Sequence, residues 1–185
     1  MPYPAKLTAE KILGAALGLL ETGGPDALGM RPLADVLGVR PSSLYRYYPE
    51  RDALLGALEA HATGDLHTAI RDAARDQAPA AALTAAAHAY LAYAREHPHR
   101  YLLLLRPRAP YTAKPGPGKE LWQEVLALVG AVTGKSDDTA ATVAFWAYLH
   151  GFTLLEQSGQ FGSSGPVGGF ERGLRALVSG FQNTP

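Results

Sequence analysis

Residues 29–51 read GMRPLADVLGVRPSSLYRYYPER, and no other stretch of the chain constrains its fold as much. Two short helical segments meet there at a tight turn. Leu33, Leu37, Val39 and Leu44 are apolar where such a pair must share a core. Ala34 is small where the second helix crosses close to the first, and Gly38 sits where the turn favours a left-handed backbone. This is the pattern of a helix-turn-helix, whose second helix enters the major groove of DNA. Leu44 and Tyr48, four residues apart, point inward; Ser42, Ser43, Tyr45 and Tyr47 remain for the outer face. Small hydroxyls and phenols suit a groove lined with phosphates. Arg31, Arg40, Arg46 and Arg51 stand against Asp35 and Glu50 in this stretch, a balance of plus two. The electrostatic contribution of one copy is therefore modest, and affinity has to come from two copies acting together.

The rest of the composition narrows the field. The 185 residues carry 17 Lys plus Arg and 17 Asp plus Glu, so a diffuse basic coat for nucleic acid is excluded and charge must act by local placement. There is no cysteine, which excludes disulfides, thiol nucleophiles and thiolate metal sites. Residues 139–155, TAATVAFWAYLHGFTLL, contain no Asp, Glu, Lys or Arg. The run is short for a membrane span of ~20 residues and is diluted by Thr and His, so it reads as a helix buried on most sides. Met1-Pro2-Tyr3-Pro4-Ala5-Lys6 shows no basic segment followed by an apolar one, so no secretory signal is expected. The expected location is the cytoplasm, with no membrane association.

Helical patterning continues along the whole chain, and β-branched clusters with a period of two are missing. The first helix is predicted from the N-cap Thr8 to about Thr22, ended by Gly23-Gly24-Pro25. Short helices follow from Met30 to Leu37 and from Pro41 to about Tyr48, with Pro41 in a first turn. Further helices are predicted from about Glu50 into the 70s, over 80–96, 99–105 and 119–132, and over the apolar segment, capped by Ser136 or Asp137. A last helix carries Phe170, Leu174, Leu177, Val178 and Phe181. Residues 106–118 and 158–169, rich in Pro, Gly and Ser, read as loops, the second a flexible one. No internal repeat is apparent. The boundary between a small N-terminal unit and a larger C-terminal one is expected within the helix starting near Glu50.

Residues 8–55 resemble the DNA-binding domain of TetR/AcrR-family transcriptional repressors. The resemblance is carried by LADVLGVRPSSLYRYYPERDALL, with its short helix, turn, LYRYY and following helix start. It implies DNA contacts at Arg31, Ser42, Ser43, Tyr45, Tyr47 and Arg51, with the two tyrosines on phosphates or thymine methyls. Three positions depart from the family pattern. Gly29 stands where a capping Ser or Thr is usual, and Arg40 where Ser is common, which leaves both helices without their usual caps. Arg40 is then expected to supply a contact of its own. Arg51 stands where Lys is commoner.

The C-terminal half resembles the ligand-binding half of the same family in AYLAYAREHPHRYLLLL at 89–105 and FWAYLHGFTLLEQSGQF at 145–161, as in a subgroup with Trp then His-Gly, here Trp146 and His150-Gly151. The resemblance implies a small effector and a homodimer in which the last two helices form a four-helix bundle. The residues alone leave two readings of those helices: one face turned to a partner together with the Phe170–Phe181 stripe, or intramolecular core throughout. Tyr90, Tyr93, Tyr101, Trp122, Phe145, Trp146, Leu149 and His150 lie on helices expected to converge on an effector pocket. Charged residues are scarce on these faces, so the expected effector is uncharged or lipophilic. His97-Pro98-His99 lacks a completing carboxylate cluster, His61 and His67 are not neighbours on a helix, and GxSxG is absent, so neither a metal, a cofactor nor catalysis is expected.

The expected molecule is all-α, with an N-terminal three-helix helix-turn-helix domain over 1–52 and an effector-binding and dimerisation domain over 53–185. It would be a ligand-responsive repressor of a double-stranded DNA operator. Two alternatives stand beside it: a helical small-molecule binding protein with a degenerate helix-turn-helix, kept open by Gly29 and Arg40, and a helical enzyme, for which no catalytic set is found.

Overall fold

The computed structural model describes residues 7–106 and 118–183. Among these, nine helices occur: α1 (Ala9–Ala27), α2 (Met30–Leu37), α3 (Pro41–Tyr45), α4 (Arg51–Ala74), α5 (Pro79–Glu96), α6 (Pro98–Leu104), α7 (Lys119–Thr133), α8 (Thr139–Gln157) and α9 (Gly169–Gln182). The all-α expectation holds. The chain divides into two compact units, residues 1–62 with 99–110, and residues 63–98 with 111–185. α4 passes from one unit into the other without interruption, and α6 folds with the N-terminal unit.

In the N-terminal unit, Thr8 caps α1 as expected, its Oγ1 accepting from the Lys11 N–H at 3.2 Å. Ile12, Ala16, Leu17 and Leu20 form the buried stripe of α1. The helix does not stop at Gly23-Gly24-Pro25. It bends at Gly24, where φ is +69°, and resumes through Ala27. Pro25 brings a φ already suited to a first helical turn, so the breaker also restarts the helix. α2 buries Met30, Leu33 and Ala34, α3 buries Leu44, and α4 contributes Leu54, Leu55 and Leu58. Leu28 and Leu103 complete this core.

In the C-terminal unit, α5 packs against α7, α8 and α9. Its buried positions include Ala82, Ala86, Ala87 and Ala94, and these small side chains permit close approach of neighbouring helices. α7 ends at Gly134, with φ +73°. Asp138, rather than Ser136 or Asp137, caps α8, its carboxylate accepting from the Ala141 N–H at 3.1 Å. The stripe of α9 is inside the subunit: Phe170, Leu174, Val178 and Phe181 are buried, and Leu177 half-buried. This corrects the reading that turned the stripe toward a partner. The opposite side of α9 carries Glu171, Arg172 and Arg175, so the helix has one apolar face and spends it on its own chain.

The segment expected to be a flexible loop at 158–169 is a succession of turns with a three-residue repeat. Gly159, Gly162, Gly165 and Gly168 all take φ between +66° and +69°. The Gly162 N–H donates to the Gly159 carbonyl at 3.0 Å, and the Gly165 N–H to the Gly162 carbonyl at 3.2 Å. Phe161 from this segment packs on Phe152, ring centroids 5.1 Å apart. The loop expected at 106–118 falls almost wholly outside the described residues.

Candidate nucleic-acid interface and effector region

The helix-turn-helix is built as its sequence predicts. Gly38 is left-handed, φ +64°, and the Val39 N–H closes the turn onto the Ala34 carbonyl at 3.0 Å. Neither α2 nor α3 receives a side-chain cap, in keeping with Gly29 and Arg40 at the capping positions. Regular helix in α3 ends at Tyr45, earlier than expected, and the Tyr47 and Tyr48 N–H groups donate to the Leu44 carbonyl at 2.9 Å to extend it as a turn. Leu44 is fully buried and Tyr48 half-buried against the same core. Burial raises the Tyr48 phenol pKa above its ordinary value, so that ring faces inward as a neutral group.

That anchoring turns the other side of α3 outward. Arg40, Ser42, Tyr45 and Tyr47 are exposed and Ser43 is half-buried, with Arg31 exposed on the first turn of α2. Arg46, exposed between the two tyrosines, joins this face although it is not among the expected contacts. Its place follows from the two inward anchors: Leu44 and Tyr48 bracket residues 45–47, and all three of these stay outside.

Two of the expected contacts have work within the protein. The Tyr47 hydroxyl donates to the Leu7 carbonyl at 2.5 Å. Arg51 donates from Nε to the Leu28 carbonyl and from Nη2 to the Pro25 carbonyl, each at 3.1 Å. These two bonds hold the segment joining α1 to α2. They use two of the five N–H groups of the guanidinium, which remains exposed.

The expected effector set separates into groups. Tyr90, Trp122, Trp146 and His150 come together from α5, α7 and α8. The Trp146 ring lies 5.9 Å from Tyr90, 5.1 Å from His150 and 6.4 Å from Trp122, all near edge-to-face. Tyr90 is fully buried, and its hydroxyl is 2.7 Å from His150 Nδ1. Burial lowers the His150 pKa to about 4, so the imidazole is neutral near pH 7. Phe145 and Leu149 are buried on α8. Tyr93 sets its ring 5.2 Å from that of His97, tilted by 59°, and lines a groove with Asp65, Ala69 and Glu96. Tyr101 departs from the group: it is fully buried on α6, within the N-terminal unit.

Sequence reasoning missed two polar features of this region. His67 on α4 and Glu124 on α7 meet at 3.3 Å in a largely buried pair. Thr153, one turn beyond His150, has a fully buried hydroxyl with no hydrogen-bond partner among the described residues. Among the described residues, no group of three His, Asp or Glu is placed to hold a metal ion. No helix among them is long and apolar enough to cross a membrane.

The comparisons with known proteins cover both halves. Residues 12–58 match the family described as bacterial regulatory proteins, tetR family, and residues 83–178 match the tetracyclin repressor-like C-terminal domain. An uncharacterized HTH-type transcriptional regulator of Mycobacterium tuberculosis is 34% identical over 161 residues, which span 84% of this chain and 73% of the relative. The solved structure of BioQ with its natural double-stranded DNA operator is 28% identical, with a TM-score of 0.72, covering 97% of this chain and 100% of that one. A TetR variant from Acinetobacter baumannii, in complex with minocycline, shares the fold at 24% identity and a TM-score of 0.66, over 96% of this chain and 97% of that one.

Proposed function

Because the chain belongs to the TetR family of bacterial regulatory proteins, we propose that it is a dimeric repressor released from a palindromic operator by a small, mainly apolar effector. Residues 1–52 read DNA, and residues 53–185 bind the effector and the second subunit. The observation that carries this reading is the outward face of α3. A fully buried Leu44 fixes the helix, and Ser42, Tyr45, Arg46 and Tyr47 stand exposed over it, with Arg31 and Arg40 alongside. BioQ, which resembles this chain over nearly its whole length, was solved on its DNA operator. In the proposed contact set, Arg31, Arg40, Ser42, Ser43, Tyr45, Arg46 and Tyr47 face DNA, and Arg51 combines a phosphate contact with its hold on the α1–α2 connection.

The effector region proposed is the ring cluster of Tyr90, Trp122, Trp146 and His150 from α5, α7 and α8, with Tyr93 on α5 and Phe145 and Leu149 on α8 beside it. A neutral His150 among aromatic rings supports an uncharged effector, because an anion would find no cation there. For the dimer, α8 presents the required face. Ala140, Ala144, Ala147 and Leu154 are exposed and Gly151 half-buried, at steps of four and three that recur every seven residues. Beside it runs an apolar groove of about 510 Å³ lined by Tyr148, Phe152, Leu155, Phe161 and Pro166.

A genomic-fragment selection with the purified full chain, read by sequencing, tests the proposal. Recovery of a short inverted repeat is the expected result. A folded dimer that enriches no site would overturn it and favour the binding protein with a degenerate helix-turn-helix. A shift in melting point produced only by polyanionic metabolites would refute the apolar effector.

A further inference from the structure

Thr153 carries a polar group that the fold leaves unused. It is fully buried on α8, and its hydroxyl has no hydrogen-bond partner among the described residues. A threonine inside a helix has an acceptor at hand, the carbonyl four residues back. Thr22, Thr84 and Thr142 all take it, donating to the Gly18, Ala80 and Asp138 carbonyls at 2.9, 2.8 and 2.8 Å. Thr153 does not, so its hydroxyl is turned off its own helix into the interior of the C-terminal unit. The Thr133 hydroxyl is in the same condition, but Thr133 is half-buried and ends α7.

A buried hydroxyl without a partner lowers stability, and valine, of nearly the same shape, would not. The surroundings give no relief. Thr153 sits between two polar ties that fix α8 against α5. Three residues earlier, His150 Nδ1 lies 2.7 Å from the Tyr90 hydroxyl; four residues later, Gln157 Nε2 donates to the Ala94 carbonyl at 2.8 Å. Residues 150, 153 and 157 share one face of α8, so the hydroxyl is on the side of the ring cluster. Solvent-sized space reaches that side, because Trp122, Trp146 and His150 are only half-buried. Thr153 lies deeper and is closed to solvent. Only a ligand that parts the side chains packed around the rings reaches it, and a hydrogen bond gained there favours the opened state.

We propose that Thr153 is a specificity residue of the effector site: its hydroxyl takes the one hydrogen bond that an otherwise apolar effector offers. The effector class is then an uncharged, largely apolar molecule with a carbonyl or hydroxyl group at its inner end, selected over the plain hydrocarbon. The proposal rests on the effector region proposed above and deepens it.

Trp122 and Trp146 are the two tryptophans of the chain, so intrinsic fluorescence reads arrival at the ring cluster. The test titrates the full chain with benzylacetone and with butylbenzene, which differ by a carbonyl in place of a methylene. Both titrations are repeated on Thr153→Val and Thr153→Ser. Thr153→Val should bind benzylacetone about tenfold more weakly and butylbenzene no more weakly than the wild type does. Comparing the two ligands across the two proteins cancels their unequal hydrophobicity. Thr153→Ser keeps the hydroxyl and should keep the preference. Without ligand, Thr153→Val should melt about 2–4 °C higher, because the hydroxyl removed had no partner. A Thr153→Val protein that melts no higher shows the hydroxyl bonded within the protein and overturns the proposal. If the ligands bind but Thr153→Val treats them as the wild type does, the proposal falls and the effector region stands. If neither ligand alters the wild-type fluorescence up to its solubility, the effector region itself is refuted, and the proposal with it.

Discussion

Acidification should destabilise this protein through His150 by an amount the structure lets one work out. The imidazole lies among Tyr90, Trp146 and neighbouring helix faces, and burial lowers its pKa from 6.5 to about 4. In the unfolded chain the same group takes up a proton at its ordinary value. Between those two values the unfolded state binds more protons than the native state, so stability rises with pH across the window and is lost as pH falls through it. Every pH unit that separates the two midpoints is worth about 1.4 kcal/mol, which makes the whole loss ~3 kcal/mol once the pH is below the native value. Other carboxylates titrate near the lower end of this window, so the measurement is a difference. His150→Gln retains an acceptor for the Tyr90 hydroxyl, now 2.7 Å from Nδ1, and removes the titration. Urea unfolding of both proteins at fixed concentration, from about pH 7 to about pH 4, should show the wild type losing ~3 kcal/mol more than the variant. An NMR titration of the imidazole should place its midpoint near 4 rather than at the ordinary value. Parallel stability curves, or a midpoint at 6.5, would refute the buried neutral histidine.

Three further outcomes follow from particular contacts. Gly173→Ala would set a Cβ 2.6 Å from the Tyr148 ring, whose hydroxyl is committed to the Phe170 carbonyl; a loss of about 1–3 kcal/mol is expected, and an unchanged melting point would show that the ring yields freely. Tyr47→Phe removes the bond to the Leu7 carbonyl and should cost stability of about 0.5–1.5 kcal/mol. Operator affinity should largely survive it but not Tyr47→Ala, since the ring is the DNA-facing part; a marked loss of operator affinity in Tyr47→Phe would instead put the hydroxyl on a phosphate. Ala147→Glu on the exposed face of α8 should yield monomers in sedimentation and abolish tight operator binding, and a persistent dimer would show that another face pairs the subunits.

Much of the fold is legible in the residues because the N-terminal signals are local. The cap at Thr8, the left-handed Gly38 and the inward pair Leu44 and Tyr48 each depend on spacing within one or two turns, and the structure repeats them. Where two local signals compete, sequence reasoning chooses badly. Gly24-Pro25 reads as a terminator, yet Pro25 restarts the helix. Asp138 wins the cap of α8 over its neighbours because the first free N–H groups lie within its reach. Long-range facts have no such signal. Nothing in PHRYLLL says that α6 serves the N-terminal unit, so the residues alone group Tyr101 with the effector set. The Phe170–Phe181 stripe is visible as a stripe, but periodicity does not say whether its partner is another helix of the same chain. The three-residue glycine repeat at 159–168 is visible in the letters, yet its composition reads first as flexibility.

The charge balance explains why geometry has to carry the regulation. With no net charge on the chain and a balance of plus two over 29–51, one reading head has little sequence-independent hold on DNA. Two heads joined in a dimer act at high effective concentration, but only while their spacing matches one turn of duplex, ~34–36 Å. A small displacement of one head forfeits the gain of the pair rather than a single contact. A coupling of about 1–3 kcal/mol between effector and operator is then enough to change occupancy by about 5- to 150-fold. The same linkage requires bound operator to weaken effector binding by the same factor. A highly basic reader would hold DNA through such a shift, whereas a head with a balance of only plus two depends on the pair staying in register.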